Sequence, residues 1–553
     1  MHNRPPGAVF PGFAGVLIYT NLLKTDLCMC ESSTSASLPC TFNVPQKQGG
    51  NRGPRATTLN QLRKEYTSSS TPIRTEGELD RNHARNAQEH TIPPLSSTGG
   101  LGPTDLEALP IEACIEAYLD RIHPIVPLLN EDLLRDEVSK ASISPASKQF
   151  VLSFCAYVVT FGKVLREPSA SPSLSSTTAA ATSISDFALG QQLVDSALAI
   201  QNPQRITQPS GLSVYISFFL YGAHAGMGMY RPGWFYLREA TTLFMMQKPG
   251  EKEWFTPETH TRVFWILVVS ERAHAIRRQR PITLQINPST PPPPPPLTPP
   301  DRSLHHLATL FRPFDESFFS LWNDASRRDC SKDWLLSLET RVRTALLPPL
   351  SLLDDLSCDQ LANVRVSQLW LQGKLYELFP RFGFLSSRES VYECLTFGYP
   401  VAVAGALLDH VGGGEVEGNG RMTTTTRLPA RSLWVHGVGM TEKIFDITCA
   451  LTDVFPFLPP HLPSTTTHAC TCSATSSSQP TSPSIPHHPP EKPLQHLRTL
   501  TKLLSTLPSG REKFVPLLLA KIRGLLQPCV VEYIAKTVEE DEGFSENGNV
   551  TFR

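Results

Sequence analysis

The 553-residue chain carries 50 Lys and Arg against 51 Asp and Glu, a formal charge of −1. That balance excludes a globally basic nucleic-acid coat and a strongly acidic surface alike, so any basic patch must be local. Fifty prolines are about twice average usage and fall in clusters, which predicts folded blocks separated by spacers.

At the N-terminus, "GVLIYTNLL" (residues 15–23) is a short apolar run behind Arg4. Tyr19, Thr20 and Asn21 interrupt it and no small-residue cleavage pattern follows, so a signal peptide is not expected. No apolar run reaches the ~18–20 residues of a membrane span. Twelve cysteines without regular spacing do not make a disulfide framework. Cys114, Cys155, Cys330, Cys358, Cys394 and Cys449 sit in or beside apolar runs, where a thiol acts as a small hydrophobe. A soluble, intracellular protein in a reducing compartment is expected.

The expected blocks, in chain order, begin with an unmatched segment at 1–27, a cysteine-bearing and then basic segment at 28–65, and a disordered linker at 66–106. A first helical part at 107–286 is followed by a polyproline spacer at 287–303, whose Pro291–Pro296 run favours an extended rod. A second helical part follows at 304–461, then an insertion at 462–492 too polar to offset its chain entropy. C-terminal helices at 493–536 and an acidic tail at 537–553 complete the chain. Lesser low-complexity breaks lie at 167–185 and 412–426.

Within the folded blocks the period is helical. Ile111, Ile115, Tyr118, Leu119 and Ile122 form one stripe, which Pro124 and Pro127 end. Residues 148–165 are apolar nearly all round and predict a buried helix. Leu189, Leu193, Ala197 and Ile200 repeat the helical step, and residues 212–221, 233–247 and 258–277 give three more candidates. Leu369, Leu371, Leu375 and Leu378 mark another, and residues 494–506 and 512–526 close the set. No run of alternating strands with hairpin turns occurs. The expected fold class is all-α, a multi-helix domain interrupted by long Pro/Ser/Thr-rich spacers.

Residues 234–285 carry the most information. One helix places Phe235, Leu237, Ala240, Leu243 and Phe244 on a face. A turn with Pro249 and Gly250 follows, then a capping pattern at Thr256–Glu258 and a second helix. That helix carries Val263, Phe264, Leu267, Val268 and Ala273 with Glu271 and Arg272 inserted as a half-buried acid–base pair. Arg277, Arg278 and Arg280 crowd its end, where cations suit the helix dipole, and Pro281 stops it.

The order Trp234, Glu239–Ala240, Arg262–Val263–Phe264–Trp265, Glu271–Arg272, Arg280–Pro281 resembles the middle homology region of fungal zinc-cluster transcription factors. "YLDRIHPIVPLL" (118–129) resembles the same region's opening helix and His-Pro stop, and the resemblance spans roughly residues 107–450. It implies an all-α regulatory scaffold that senses a small-molecule inducer or restrains activation, with a lean toward carbon-source genes. These motif residues themselves read as structural, with Glu271 and Arg272 holding helices together and Trp234 and Trp265 in the core.

In that family six cysteines hold two zinc ions, and the last lies in a segment much like "LPCTF". Cys40 matches that ligand, and the basic linker matches Lys47, Arg52, Arg55, Arg63 and Lys64, with no acid from residue 41 to 64. Five unopposed cations suit DNA phosphates without base readout, or serve as a nuclear-import tag. "TTLNQLRKEY" fits the start of a helix pairing two chains, either a homodimer or a heterodimer with a related factor. Cys28, Cys30 and Cys40 are the only cysteines there, spaced unlike the family pattern, and three thiolates fall short of a closed four-ligand zinc site. Either residues 1–30 are not the authentic start, which is the favoured expectation, or the chain has lost its DNA reader.

Three functions compete. The first is a nuclear, DNA-binding regulator of the zinc-cluster class. The second is a regulator that no longer binds DNA alone and acts through a partner factor. The third, an enzyme, is not expected, because no nucleophile elbow, phosphate loop, dinucleotide glycine motif or His-Glu-x-x-His occurs. The acids Glu539–Glu542 with Phe544 read as a solvated terminus rather than an activation tail.

Overall fold

The computed structural model describes residues 109–161, 186–247, 255–324, 329–346, 356–386, 390–411, 428–458 and 491–539. Among these residues the regular structure is helical throughout, as the periodicity predicts. The segments 1–27 and 28–65, the linker 66–106 and the stretches 167–185 and 412–426 lie outside the described residues. So do the insertion as far as residue 490 and the tail from residue 540.

The described residues begin with α1 (Ile111–Ala117), which widens into a π turn at Tyr118–Ile122. There the Tyr118 hydroxyl donates to the Val126 carbonyl (3.2 Å) and accepts from the Leu129 amide (3.0 Å), fixing the turn made by Pro124 and Pro127. Ile115, Tyr118 and Ile122 are buried, as the stripe requires. Asn130 caps α2 (Glu131–Lys140), and Ser144 with Pro145 behind it opens α3 (Pro145–Thr160). From Phe150 to Val159 every residue of α3 is buried, which explains its nearly continuous apolar composition.

Two further helices, α4 (Asp186–Ala199) and α5 (Gly211–Gly226), pack on α3. The α3–α5 approach is close enough to need glycine. A Cβ at Gly222 would stand 2.3 and 2.5 Å from carbons of the Tyr157 ring, and one at Gly226 would stand 2.6 Å from the Thr160 carbonyl oxygen. We expect Gly222→Val to lower stability by about 1–3 kcal/mol through overpacking. Gly373→Ala, where nothing lies within 4 Å of the added carbon, should gain about 0.5–1 kcal/mol. Urea midpoints of the two variants check the pair.

The hairpin follows as α6 (Tyr230–Met246) and α7 (Pro257–Arg278), the latter capped by Thr256, whose hydroxyl accepts from the Thr259 amide. Leu237, Ala240, Leu243 and Phe244 form the buried face of α6. Phe235 does not join them. It stands two residues from Leu237, on the opposite side of the helix, and is 61% exposed.

Beyond the hairpin lie α8 (Pro299–Phe311), α9 (Glu316–Asn323), α10 (Lys332–Thr344), α11 (Cys358–Tyr376) and α12 (Tyr399–Val411). The last four are α13 (Gly437–Val454), α14 (Glu491–Thr506), α15 (Val515–Arg523) and α16 (Pro528–Glu539). The described residues build two apolar cores. One gathers α1–α6, the other gathers α9–α16, and α8 gives Leu304 and Ala308 to the first and Leu307, Leu310 and Phe311 to the second. Helix α7 serves both, giving Val263–Val268 to the first and Ala275 and Ile276 to the second.

The polyproline segment differs from its expected role as a spacer. Trp265 Nε1 donates to the Pro291 carbonyl (3.1 Å), His305 Nδ1 to Pro294 (3.0 Å) and Arg302 Nε to Pro296 (3.1 Å). Proline has no amide hydrogen to satisfy but keeps its carbonyl acceptor. A run of prolines therefore offers a row of acceptors, and donors on α7 and α8 take them. Thr298 then caps α8 inside the expected spacer. Gln360 of α11 ties the junction to the first core by donating to the carbonyls of Pro124 (2.8 Å) and Pro299 (2.9 Å).

Candidate functional site

The motif residues at 234–281 prove to be connectors. Glu271 and Arg272 are fully buried, a correction to the half-buried pair expected, and each satisfies main chain rather than the other. The Glu271 carboxylate accepts from the amides of Thr283 (2.7 Å) and Leu284 (3.0 Å), pinning the segment that leaves α7 after Pro281. Arg272 donates to the carbonyls of Phe314 (2.8 Å) and Leu284 (3.2 Å). Burial lowers the Arg272 guanidinium to about 10, and the nearby Glu271 charge offsets part of that.

Arg262 forks onto Asp301 of α8 through two 2.7 Å hydrogen bonds. Glu239 pairs with Arg205 and accepts from the Ser217 hydroxyl (2.9 Å), joining α6 to α5. Trp265 is fully buried, as expected of a core residue, whereas Trp234 is half-buried with its ring stacked on His274 (centroids 5.2 Å apart). Arg280 is half-buried and its carbonyl accepts from Asn323, while Pro281 is exposed. Gln279 takes the left-handed conformation (φ 51°) that ends α7 before them.

A cavity of about 210 Å3 opens where the two cores meet, beside the second half of α7. One wall is aromatic: Tyr157 and Phe161 at the end of α3, Phe218 and Tyr221 on α5, and Tyr230 at the start of α6. The other is polar, made of Arg277 and Arg278 on α7 and Glu442 and Lys443 in α13. Their position in the sequence marks Arg277 and Arg278 only as partners of the helix dipole. The structure gives both to Glu442, which accepts from Arg277 Nη1 (3.0 Å) and Arg278 Nη2 (2.5 Å). The Arg278 guanidinium also lies 3.7 Å over the Tyr230 ring.

Nothing local in the sequence marks Lys443. It is 8% exposed and has no carboxylate partner among the described residues. Its ammonium donates to Ser367 Oγ (2.7 Å) and reaches Asn363 Oδ1 at 3.5 Å. Burial, with the Arg277 charge in support, lowers the Lys443 ammonium to about 7. Two histidines line the same space. Burial and the flanking arginines hold His274 down to about 3, and burial holds His436 at about 3 despite its contact with the Asp359 carbonyl (2.8 Å). Both are neutral at ordinary pH, so the ionic groups at the cavity are Arg277, Arg278, Glu442 and, below about 7, the Lys443 ammonium.

The zinc-ligand candidates Cys28, Cys30 and Cys40 lie outside the described residues, as do the strap cations Lys47, Arg52, Arg55, Arg63 and Lys64. Among the described residues no group of three or more His, Cys, Asp or Glu side chains is placed to hold a metal. None of the described helices is long and apolar enough to cross a membrane. No family model, no curated protein and no solved structure matches the chain.

Proposed function

We propose that the chain is a transcription regulator of the fungal zinc-cluster type, acting in the nucleus on RNA polymerase II genes of carbon-source or other metabolism. The observation that carries this reading is the ordered motif from Trp234 to Pro281 within an all-α architecture, where its charged members Glu239, Arg262, Glu271 and Arg272 each tie α6 or α7 to another element. A regulatory scaffold needs such ties, because a signal at one core must be felt at the other.

The DNA contact in this reading belongs to the strap of Lys47, Arg52, Arg55, Arg63 and Lys64, which neutralises phosphates and releases counterions. Zinc does not fit the chain's own donor set, since Cys28, Cys30 and Cys40 supply one thiolate fewer than a closed site takes. The second reading is a regulator paired with an intact related factor that supplies the base readout.

Fluorescence anisotropy of the full chain on a random-sequence duplex tests the strap. Five phosphate contacts predict a log–log salt slope of about −4 to −5. Replacing all five cations by Gln should bring it near zero. Selection from randomised duplexes then separates the readings, because a base preference supports direct readout and its absence, with the salt slope intact, supports the partnered form. A wild-type slope no steeper than that of the substituted chain removes DNA from the proposal.

A further inference from the structure

We propose that the cavity between the two cores is a binding site for a compact organic carboxylate with an apolar body. Its polar wall holds three cationic side chains, Arg277, Arg278 and Lys443, against one carboxylate, Glu442. Both oxygens of Glu442 are committed to the two arginines. Among the described residues the ammonium of Lys443 therefore has only neutral partners, Ser367, Asn363 and the face of the Trp370 ring 6.0 Å away. A buried cation without a counter-ion is costly, and a ligand that brings the missing negative charge removes that cost.

Two further features belong to the same wall. Arg277 Nε is buried with no hydrogen-bond partner, although both arginines at this wall have a terminal nitrogen satisfied by Glu442. The N-terminus of α13 also faces the cavity through Gly437, Val438 and Gly439, with neither a side-chain cap nor an acid in its first turn. Its free amides and the positive end of its dipole favour an anion there.

Size and the aromatic wall define the rest of the ligand. A cavity of about 150 Å3 lined by apolar side chains takes benzene, so about 210 Å3 admits a ring or branched chain with a carboxylate attached. A free inorganic anion would leave Tyr157, Phe161 and Phe218 facing water. The site rests on this geometry alone and not on the DNA reading, so the two succeed or fail separately.

The test is titration calorimetry on the full chain with phenylacetate and 4-methylpentanoate, each beside its neutral amide, and with inorganic phosphate. The carboxylates should bind and the amides should bind at least about tenfold more weakly, the worth of a charge-assisted hydrogen bond. Lys443→Met, which leaves the fold free of a buried charge, should weaken carboxylate binding by a similar factor while leaving the DNA salt slope unchanged. Arg277→Gln, with Glu442 still held by Arg278, is the second variant and should act in the same direction. Equal affinity for acid and amide, phosphate bound as tightly as the carboxylates, no heat from either carboxylate at 10 mM (a concentration of about the weakest useful affinity), or indifference to Lys443→Met would each overturn the assignment.

Discussion

Glu271→Gln should cost about 3–5 kcal/mol of folding stability, the range for removing one partner from a buried charged network. Both carboxylate oxygens accept main-chain hydrogen bonds, from Thr283 and Leu284. The amide replacement keeps one acceptor and turns an N–H toward a backbone N–H. It also strips the compensating charge from Arg272, whose Nη1 is already buried without a partner. Small domains hold only about 5–15 kcal/mol in total, so the loss should be visible as a large fall in the denaturant midpoint.

A second variant distinguishes this network from simple crowding. Glu271→Gln combined with Arg272→Met removes both charges, and the double variant should be more stable than Glu271→Gln alone by about 1–2 kcal/mol. Strict additivity of the two single effects would mean that the charges do not act as a unit. The comparison also bears on the regulatory reading, because these two residues join α7 to the Pro281–Leu284 segment and to Phe314 at the foot of α9.

The helical skeleton could be read from the chain because its causes are local. The stripe in α1, the apolar run of α3 and the Thr256 cap of α7 each lie within a few turns of the residues they organise. The acid–base motif in α7 was identifiable as structural for the same reason, although its partners were not. Pairing Glu271 with Thr283 and Leu284 needs the chain to turn back over α7 after Pro281, which no spacing rule supplies. The prolines at 291–296 show the opposite failure. Composition alone favours a free rod, but three donors from α7 and α8 bind their carbonyls, and composition does not record donors that arrive from elsewhere. The cavity is the furthest from sequence: Arg277 and Glu442 meet across 165 positions. "TEKIF" around Lys443 looks like any exposed helical stretch.

Lys443 gives the second large expectation, a stability that rises with pH where most proteins are flat. Burial and Arg277 lower its ammonium from 10.5 to about 7 in the folded chain. Between those two values the unfolded chain holds a proton that the folded chain has released, so unfolding takes up a proton and stability increases with pH. Below about 7 both states are protonated and the full cost of the buried cation is present; above about 10.5 both are neutral and it is gone. The span corresponds to roughly 3–5 kcal/mol. Around Lys443, Arg277 and Arg278 are both hydrogen-bonded to Glu442, and His436 stays neutral above about 3. Lys443→Met should therefore be more stable than the parent chain by a few kcal/mol near pH 6.5, with the advantage shrinking steadily toward pH 10. Urea unfolding of the two proteins at pH 6.5, 8 and 9.5 reads the difference directly, and every other titrating group cancels between them. Parallel curves would show that water or a shifted side chain solvates the ammonium after all. A narrowing gap would mean that the fold retains a destabilising charge at the cavity wall, which is the arrangement expected when binding and not stability set the residue.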